Sequence, residues 1–230
     1  MSANTDMIIK VAKGLSHLKD EVVFVGGAVA ELYADDPAAS EIRPTKDVDC
    51  VVEISTRNDY YLLEETLRKL GFVNDQSKSA PICRWIFEDI IVDIMPTDDK
   101  ILGFSNKWYE AGIANKETKL LNGNFEINVF PIEYYLASKY EAMIGRGGND
   151  LRTSHDFEDI IYLMDNSTIL LDAIANTTNH ELLKYLAAQC RGLMNNKNIK
   201  ENITSALPYD MEERTSIIEK IIEKISKLTD

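Results

Sequence analysis

The hydrophobic pattern of this chain changes its period once, near residue 130, and that change restricts the possible folds more than any other feature. Before it, short apolar runs alternate with helical spacing. Ile8 to Leu18 is spaced as a helix, and Val22-Val-Phe-Val25 reads as a buried strand that stops at Gly26-Gly27. Ala28 to Ala34 follows as a short helix. Val48 to Ile54 is a second strand, and Ser55-Thr56 start a helix over Asp59 to Leu70 that Gly71 ends. Arg84 to Glu88 and Ile90 to Met95 form a tight hairpin closed by Pro96. A second hairpin turns at Asn122-Gly123, between Lys116–Leu121 and Phe125–Phe130. Pro131 then opens a helix over Ile132 to Ile144. From Ser154 onward the spacing is helical throughout, with capping boxes at Thr178…Glu181 and Asp210…Glu213. These patterns predict an α+β chain: a mixed sheet flanked by helices over 1–130, then a C-terminal helical domain over 131–230, with the Gly145–Asp150 loop as an internal divider.

The formal charge of −13 opposes broad binding to phosphate backbones, which depends on cations displacing counterions. It leaves room for a local basic groove, and it suits a chain that gathers metal cations or docks on a basic partner. No stretch approaches the roughly 18 uninterrupted apolar residues of a membrane span, and Met1 to Lys13 lacks the order of a signal peptide, so a cytoplasmic protein without membrane contact is expected. Cys50, Cys83 and Cys190 are far apart and without metal-ligand spacing, which predicts reduced thiols.

Asp47-Val48-Asp49 opens a strand, so its two carboxylates share one face while Val48 points to the other. Two carboxylates so placed can hold magnesium together with the phosphates of a nucleotide, because magnesium prefers a few carboxylates plus substrate oxygens. A third carboxylate on a neighbouring strand would admit a second ion. Asp93 is the candidate, lying within Ile90-Ile-Val-Asp-Ile-Met95, where a buried carboxylate needs a compensating charge. Metal would provide it; so would pairing with Arg84 or capping a turn. Gly26-Gly27, between strand and helix, lets backbone approach a phosphate closely, although a tight turn alone would also account for it. Neither a dinucleotide fingerprint nor a P-loop is present.

The order of these features resembles the nucleotidyltransferase superfamily of the DNA polymerase β type: strand, Gly-Gly, short helix, Asp-x-Asp on a strand, and a single Asp on a later strand. A closer resemblance is to the AbiEii-like toxin nucleotidyltransferases. It rests on Gly26-Gly27-Ala-Val-Ala-Glu-Leu-Tyr33, Arg43-Pro-Thr45-Lys-Asp47-Val-Asp49, Leu136-Ala-Ser-Lys139 with Arg146, and Arg152-Thr-Ser-His-Asp156-Phe-Glu-Asp159. It spans about 22 to 165; the remaining helices match only in being helical.

The resemblance implies a polymerase β-like sheet whose nucleotide cleft the helical domain completes. It also implies transfer of a nucleoside monophosphate from a triphosphate to a hydroxyl. Asp47 and Asp49 would bind magnesium or manganese, and Asp93 would bind one ion and help deprotonate the acceptor. Gly26, Gly27, Arg43 and Thr45 would hold the triphosphate, and Lys139 and Arg146, on one helical face, would neutralise it, with Asp156 in support. Lys139, Arg146, Asp156 and Asp159 could equally be a salt-bridge set between packed helices. The implied acceptor is the 3′ end of a tRNA or another RNA, a protein, or a small molecule, and a toxin with an antitoxin partner is implied as well. A nucleotide-sensing or partner-binding module that retains the pocket is the alternative.

This sequence departs from the resembled pattern in two places. Gly27 stands where many relatives have serine, and Asp35, Asp36 and Glu41 make the following loop acidic. Trp108-Tyr109 reads as core more readily than as a base-stacking pair. Ile217, Ile218, Ile221, Ile222, Ile225 and Leu228 form an apolar stripe expected to pack within the helical domain. His17 and His180 lack the company of ligands or bases.

Overall fold

Residues 2–37, 39, 42–123, 125–147, 150–208 and 212–229 are described by the computed structural model. Two compact units divide the chain: Met1–Val29 with Arg43–Pro131, and Ala30–Ile42 with Ile132–Asp230. Along the chain the units change over between Pro131 and Ile132, and residues 30–42 cluster with the helices. The Gly145–Asp150 loop lies inside the helical unit.

The first unit is built on seven strands: β1 (Val22–Val25), β2 (Asp47–Val52), β3 (Val73–Asn74), β4 (Arg84–Phe87), β5 (Ile90–Pro96), β6 (Glu117–Leu121) and β7 (Phe125–Val129). They form one mixed sheet in the order β3-β4-β5-β2-β1-β7-β6. At its centre β2 runs parallel to β5 and antiparallel to β1. Both predicted hairpins are present. Glu88 and Asp89 take φ of 46° and 65°, so the β4–β5 turn has the positive φ at both central residues that matches strand twist. Asn122 and Gly123 take 51° and 75° on the way from β6 to β7.

Helix α1 (Ala3–Leu15) contacts β2 and β5, burying Asn4, Ile8, Val11, Ala12 and Leu15, one face at helical spacing. Helix α2 (Arg57–Lys69) begins where Thr56 accepts from the Asp59 backbone N–H, and buries Tyr60, Leu63 and Leu67. Short helices α3 (Asp99–Leu102) and α4 (Tyr109–Ala114) follow β5. Trp108 is buried at the entry to α4, as a core residue, while Tyr109 is half-buried with its ring 6.0 Å from that of Phe130. The segment expected as a helix after β1 is 3-10 in form, over Gly27–Tyr33.

The second unit contains α5 (Ile132–Gly145), α6 (His155–Asn166), α7 (Leu170–Ala175), α8 (His180–Met194), α9 (Ile199–Ala206) and α10 (Glu212–Ser226). Ser154 caps α6 through the Phe157 N–H. Helix α8 is capped by Asn179, whose side chain accepts from Glu181 and Leu182, one residue later than the Thr178 box predicted. An Asn at that position satisfies two backbone donors by itself. The Asp210 box lies outside the described residues. Ile218, Ile222 and Ile225 of α10 are fully buried, while Ile217 is left exposed, a narrower stripe than expected. Residues 30–42 are tied to α6: the Asp35 and Asp36 N–H groups donate to the Asn166 carbonyl, and Arg214 joins Asp36 to Asp165.

Among the described residues no helix is long and apolar enough to cross a membrane. The three cysteines are free and buried.

Candidate functional site

Strand register builds the acidic face. Asp47 and Asp49 are half-exposed, whereas Val48 and Cys50 between and beyond them are buried, as alternation requires. On the parallel neighbour β5, Asp93 is the direct partner of Asp49, and Ile91 that of Asp47. Asp93 therefore lies on the same face as the Asp-x-Asp pair, about 4.8 Å across the sheet from Asp49 in strand spacing. It is 7% exposed, so its charge needs a counter-charge.

Arg84 provides that charge. It is the register partner of Asp93 on the other side, in β4, and its guanidinium donates from Nε to Oδ1 at 2.9 Å and from Nη2 to Oδ2 at 2.7 Å. This two-pronged, charge-assisted bond engages both carboxylate oxygens. The hydrogen bond it donates to Asp93 holds the Arg84 guanidinium above its already high ordinary value, against the opposing effect of burial. The negative field of the face also reaches inward: burial foremost, then Asp49 and Asp93, pushes the Cys50 thiol well up.

Gly26 sits against the same carboxylates. Its φ is +75°, and a Cβ placed on it would lie 1.9 Å from Asp49 Oδ2. Glycine is required here both for the turn and for the Asp49 side chain to occupy its place. Gly27 then opens the 3-10 segment.

Arg43 and Thr45 lead into β2. The residue that fixes them is Asn4, 1% exposed, at the start of the buried face of α1. Its Oδ1 accepts from the Thr45 N–H at 2.9 Å, and its Nδ2 donates to the Arg43 carbonyl at 3.2 Å. Thr45 Oγ1 in turn donates to the Asp47 carbonyl at 3.1 Å. Asn4 thus pins the backbone two residues before the first aspartate. Sequence reading overlooked it, although a signal was present: an asparagine in register with Ile8, Val11 and Leu15 on an apolar helical face.

In the helical unit, Lys139 is 6% exposed on α5, a helix buried nearly all round. Its Nζ lies 2.6 Å from Asp159 Oδ2 and 3.3 Å from Asp156 Oδ1, both on α6. Arg146 reaches the other oxygen of Asp156 at 2.6 Å, with its side chain 73% exposed. These four residues form an ion-paired set between two packed helices, the arrangement that the salt-bridge alternative describes.

The donor chemistry of Asp47 and Asp49 fits a hard dication: two half-exposed carboxylates on one face. Asp93 fits less directly, since both of its oxygens accept from Arg84. Among the described residues no group of three or more His, Cys, Asp or Glu side chains is arranged to hold a metal ion.

No family model and no curated protein matches the sequence. Among solved structures, the chain is similar to the crystal structure of an antigenic nucleotidyltransferase-like protein from Paracoccidioides brasiliensis, with a TM-score of 0.53 and 18% identity over 89% of this chain and 94% of that one. At that identity the likeness is one of fold: the mixed sheet with its helices is nucleotidyltransferase-like.

Proposed function

We propose that this chain is a metal-dependent nucleotidyltransferase that moves a nucleoside monophosphate from a triphosphate to a hydroxyl. The observation that carries this reading is the register of three aspartates on one face of two adjacent parallel strands, within a nucleotidyltransferase-like fold. An acceptor oxygen would form a bond to the α-phosphorus while the bond to the bridging oxygen breaks. Pyrophosphate would leave with that electron pair, and the hydroxyl would lose its proton. Asp47 and Asp49 would hold magnesium or manganese, which supplies positive charge against the phosphates when bound. The Gly26-Gly27 turn keeps backbone, with no side chain, against Asp49, and its amide groups would contact the triphosphate. Arg43 and Thr45 would border the triphosphate, held in place through Asn4.

The finer reading is a toxin of the AbiEii-like kind, with an antitoxin partner, acting in the cytoplasm. It is supported by the segment Arg43-Pro-Thr45-Lys-Asp47-Val-Asp49 and by three buried cysteines left as thiols. The strongly acidic chain favours a small-molecule acceptor over RNA.

A second reading, a nucleotide-sensing module without turnover, is favoured by one observation: Arg84 engages both oxygens of the third carboxylate. Calorimetry with each nucleoside triphosphate, in magnesium and in chelator, tests the shared premise. Binding that needs both the ion and the Asp47/Asp49 pair supports a nucleotide site, and labelled pyrophosphate exchange separates enzyme from sensor. A folded chain that binds no triphosphate in excess magnesium refutes both.

A further inference from the structure

We infer that Arg84 is the resident cation of the acidic face: it takes at Asp93 the place a second divalent ion would hold, so that this chain binds a single ion, on Asp47 and Asp49. The inference rests on the proposed reading of Asp47 and Asp49 as metal ligands, and concerns what their neighbour does.

Three features support it. Strand β5 lies between β4 and β2, so Asp93 has Arg84 on one side and Asp49 on the other. The Arg84 bond is two-pronged, and it meets Asp93 along the two oxygens that a chelated ion would need. Finally, the pair is fixed by backbone on both sides. Arg84 and Asp93 are register partners across a tight two-residue hairpin, the Arg84 N–H donates to the Pro81 carbonyl, and the Ile94 N–H donates to the Cys83 carbonyl. Releasing Asp93 would leave a carboxylate of 10% side-chain exposure without its cation. The electrostatic requirement that a second ion would meet, a positive charge between crowded carboxylates, is therefore met by the protein itself.

Manganese alone is the probe, counted by the loss of the free-ion electron paramagnetic resonance signal at about 0.15 M salt, where exposed acidic groups bind weakly. The native chain is expected to take up one ion, Asp93→Asn to keep it, and the Asp47→Asn/Asp49→Asn double variant to lose it. Arg84→Met frees Asp93 and is expected to take up a second ion, with the first bound roughly tenfold tighter once the nearby positive charge is gone. Arg84→Lys keeps a charge at that position without the fork and is expected to remain at one; circular dichroism verifies that each variant is folded. Two ions on the native chain, one of them lost in Asp93→Asn, would overturn the inference while leaving Asp47 and Asp49 as ligands. So would an unchanged single ion, bound no tighter, on folded Arg84→Met. No bound manganese on the native chain would instead overturn the reading of Asp47 and Asp49, and the inference with it.

Discussion

Both units of this chain set carboxylates against buried or half-buried cations, and they do so to opposite ends. In the helical unit, Lys139 lies between Asp156 and Asp159, Arg146 takes the remaining oxygen of Asp156, and the carboxylates are 4% and 1% exposed. In the sheet unit, Arg84 satisfies Asp93, while Asp47 and Asp49 on the same face are half-exposed. The first set is closed and holds helices together. The second keeps two of its three carboxylates half-exposed on one strand. Counting acids and bases would not separate them; burial and register do.

The largest effect expected is at the closed set. Lys139→Met leaves two buried carboxylates facing each other, and the loss of a buried partner predicts about 3–5 kcal/mol lower stability in urea unfolding. A loss below about 1 kcal/mol would mean that Lys139 is not structural, and would break the comparison. Gly26→Ala drives a methyl into Asp49 and strains a positive φ, for about 1–3 kcal/mol in the same assay, together with loss of metal-dependent triphosphate binding. Asn4→Ala removes the clip on Arg43 and Thr45, for about 1–2 kcal/mol, with faster hydrogen exchange at the Thr45 amide as its local signature. Arg146→Ala removes the exposed member of the closed set and should cost less than about 1 kcal/mol, since the Arg146 side chain is 73% exposed.

A smaller effect sharpens the comparison through pH. Burial, then Asp93, pushes the Cys83 thiol from its ordinary 9.0 up to about 12. The unfolded thiol ionises near 9 while the folded one keeps its proton, so its contribution is full below about 9 and is lost as pH rises toward about 12. The melting temperature of the native chain should fall more steeply between pH 9 and 11 than that of Cys83→Ser. Equal slopes would mean that neither burial nor the nearby carboxylates hold the Cys83 thiol above its ordinary value.

Six of the seven strands, both hairpins and the face shared by Asp47 and Asp49 were legible because they follow from local period and turn chemistry, whereas the two-residue β3 offers no period to read. Register beyond that was not. Arg84 appeared in the sequence only as one of several partners for Asp93, since choosing it requires knowing which strand lies on which side of β5. Asn4 and Thr45 are 41 residues apart, a separation no local pattern bridges. Residues 30–42 joined the helices because Asn166 and Arg214 hold them there, contacts that a loop sequence does not advertise. The site residues on the helical unit were legible as one helical face of cations and one of acids, with their mutual pairing present in the sequence only as an alternative.

The two-residue turn at Glu88-Asp89 also bears on the order in which this molecule assembles. Arg84 and Asp93 are nine residues apart on a single hairpin, so the pair can close in the microseconds a hairpin takes. Strand β2 must be brought alongside from far upstream, and slower, non-local pairing of this kind comes later. Wherever the hairpin is closed as β2 docks, Asp49 meets an Asp93 already paired with Arg84 and not a bare like charge.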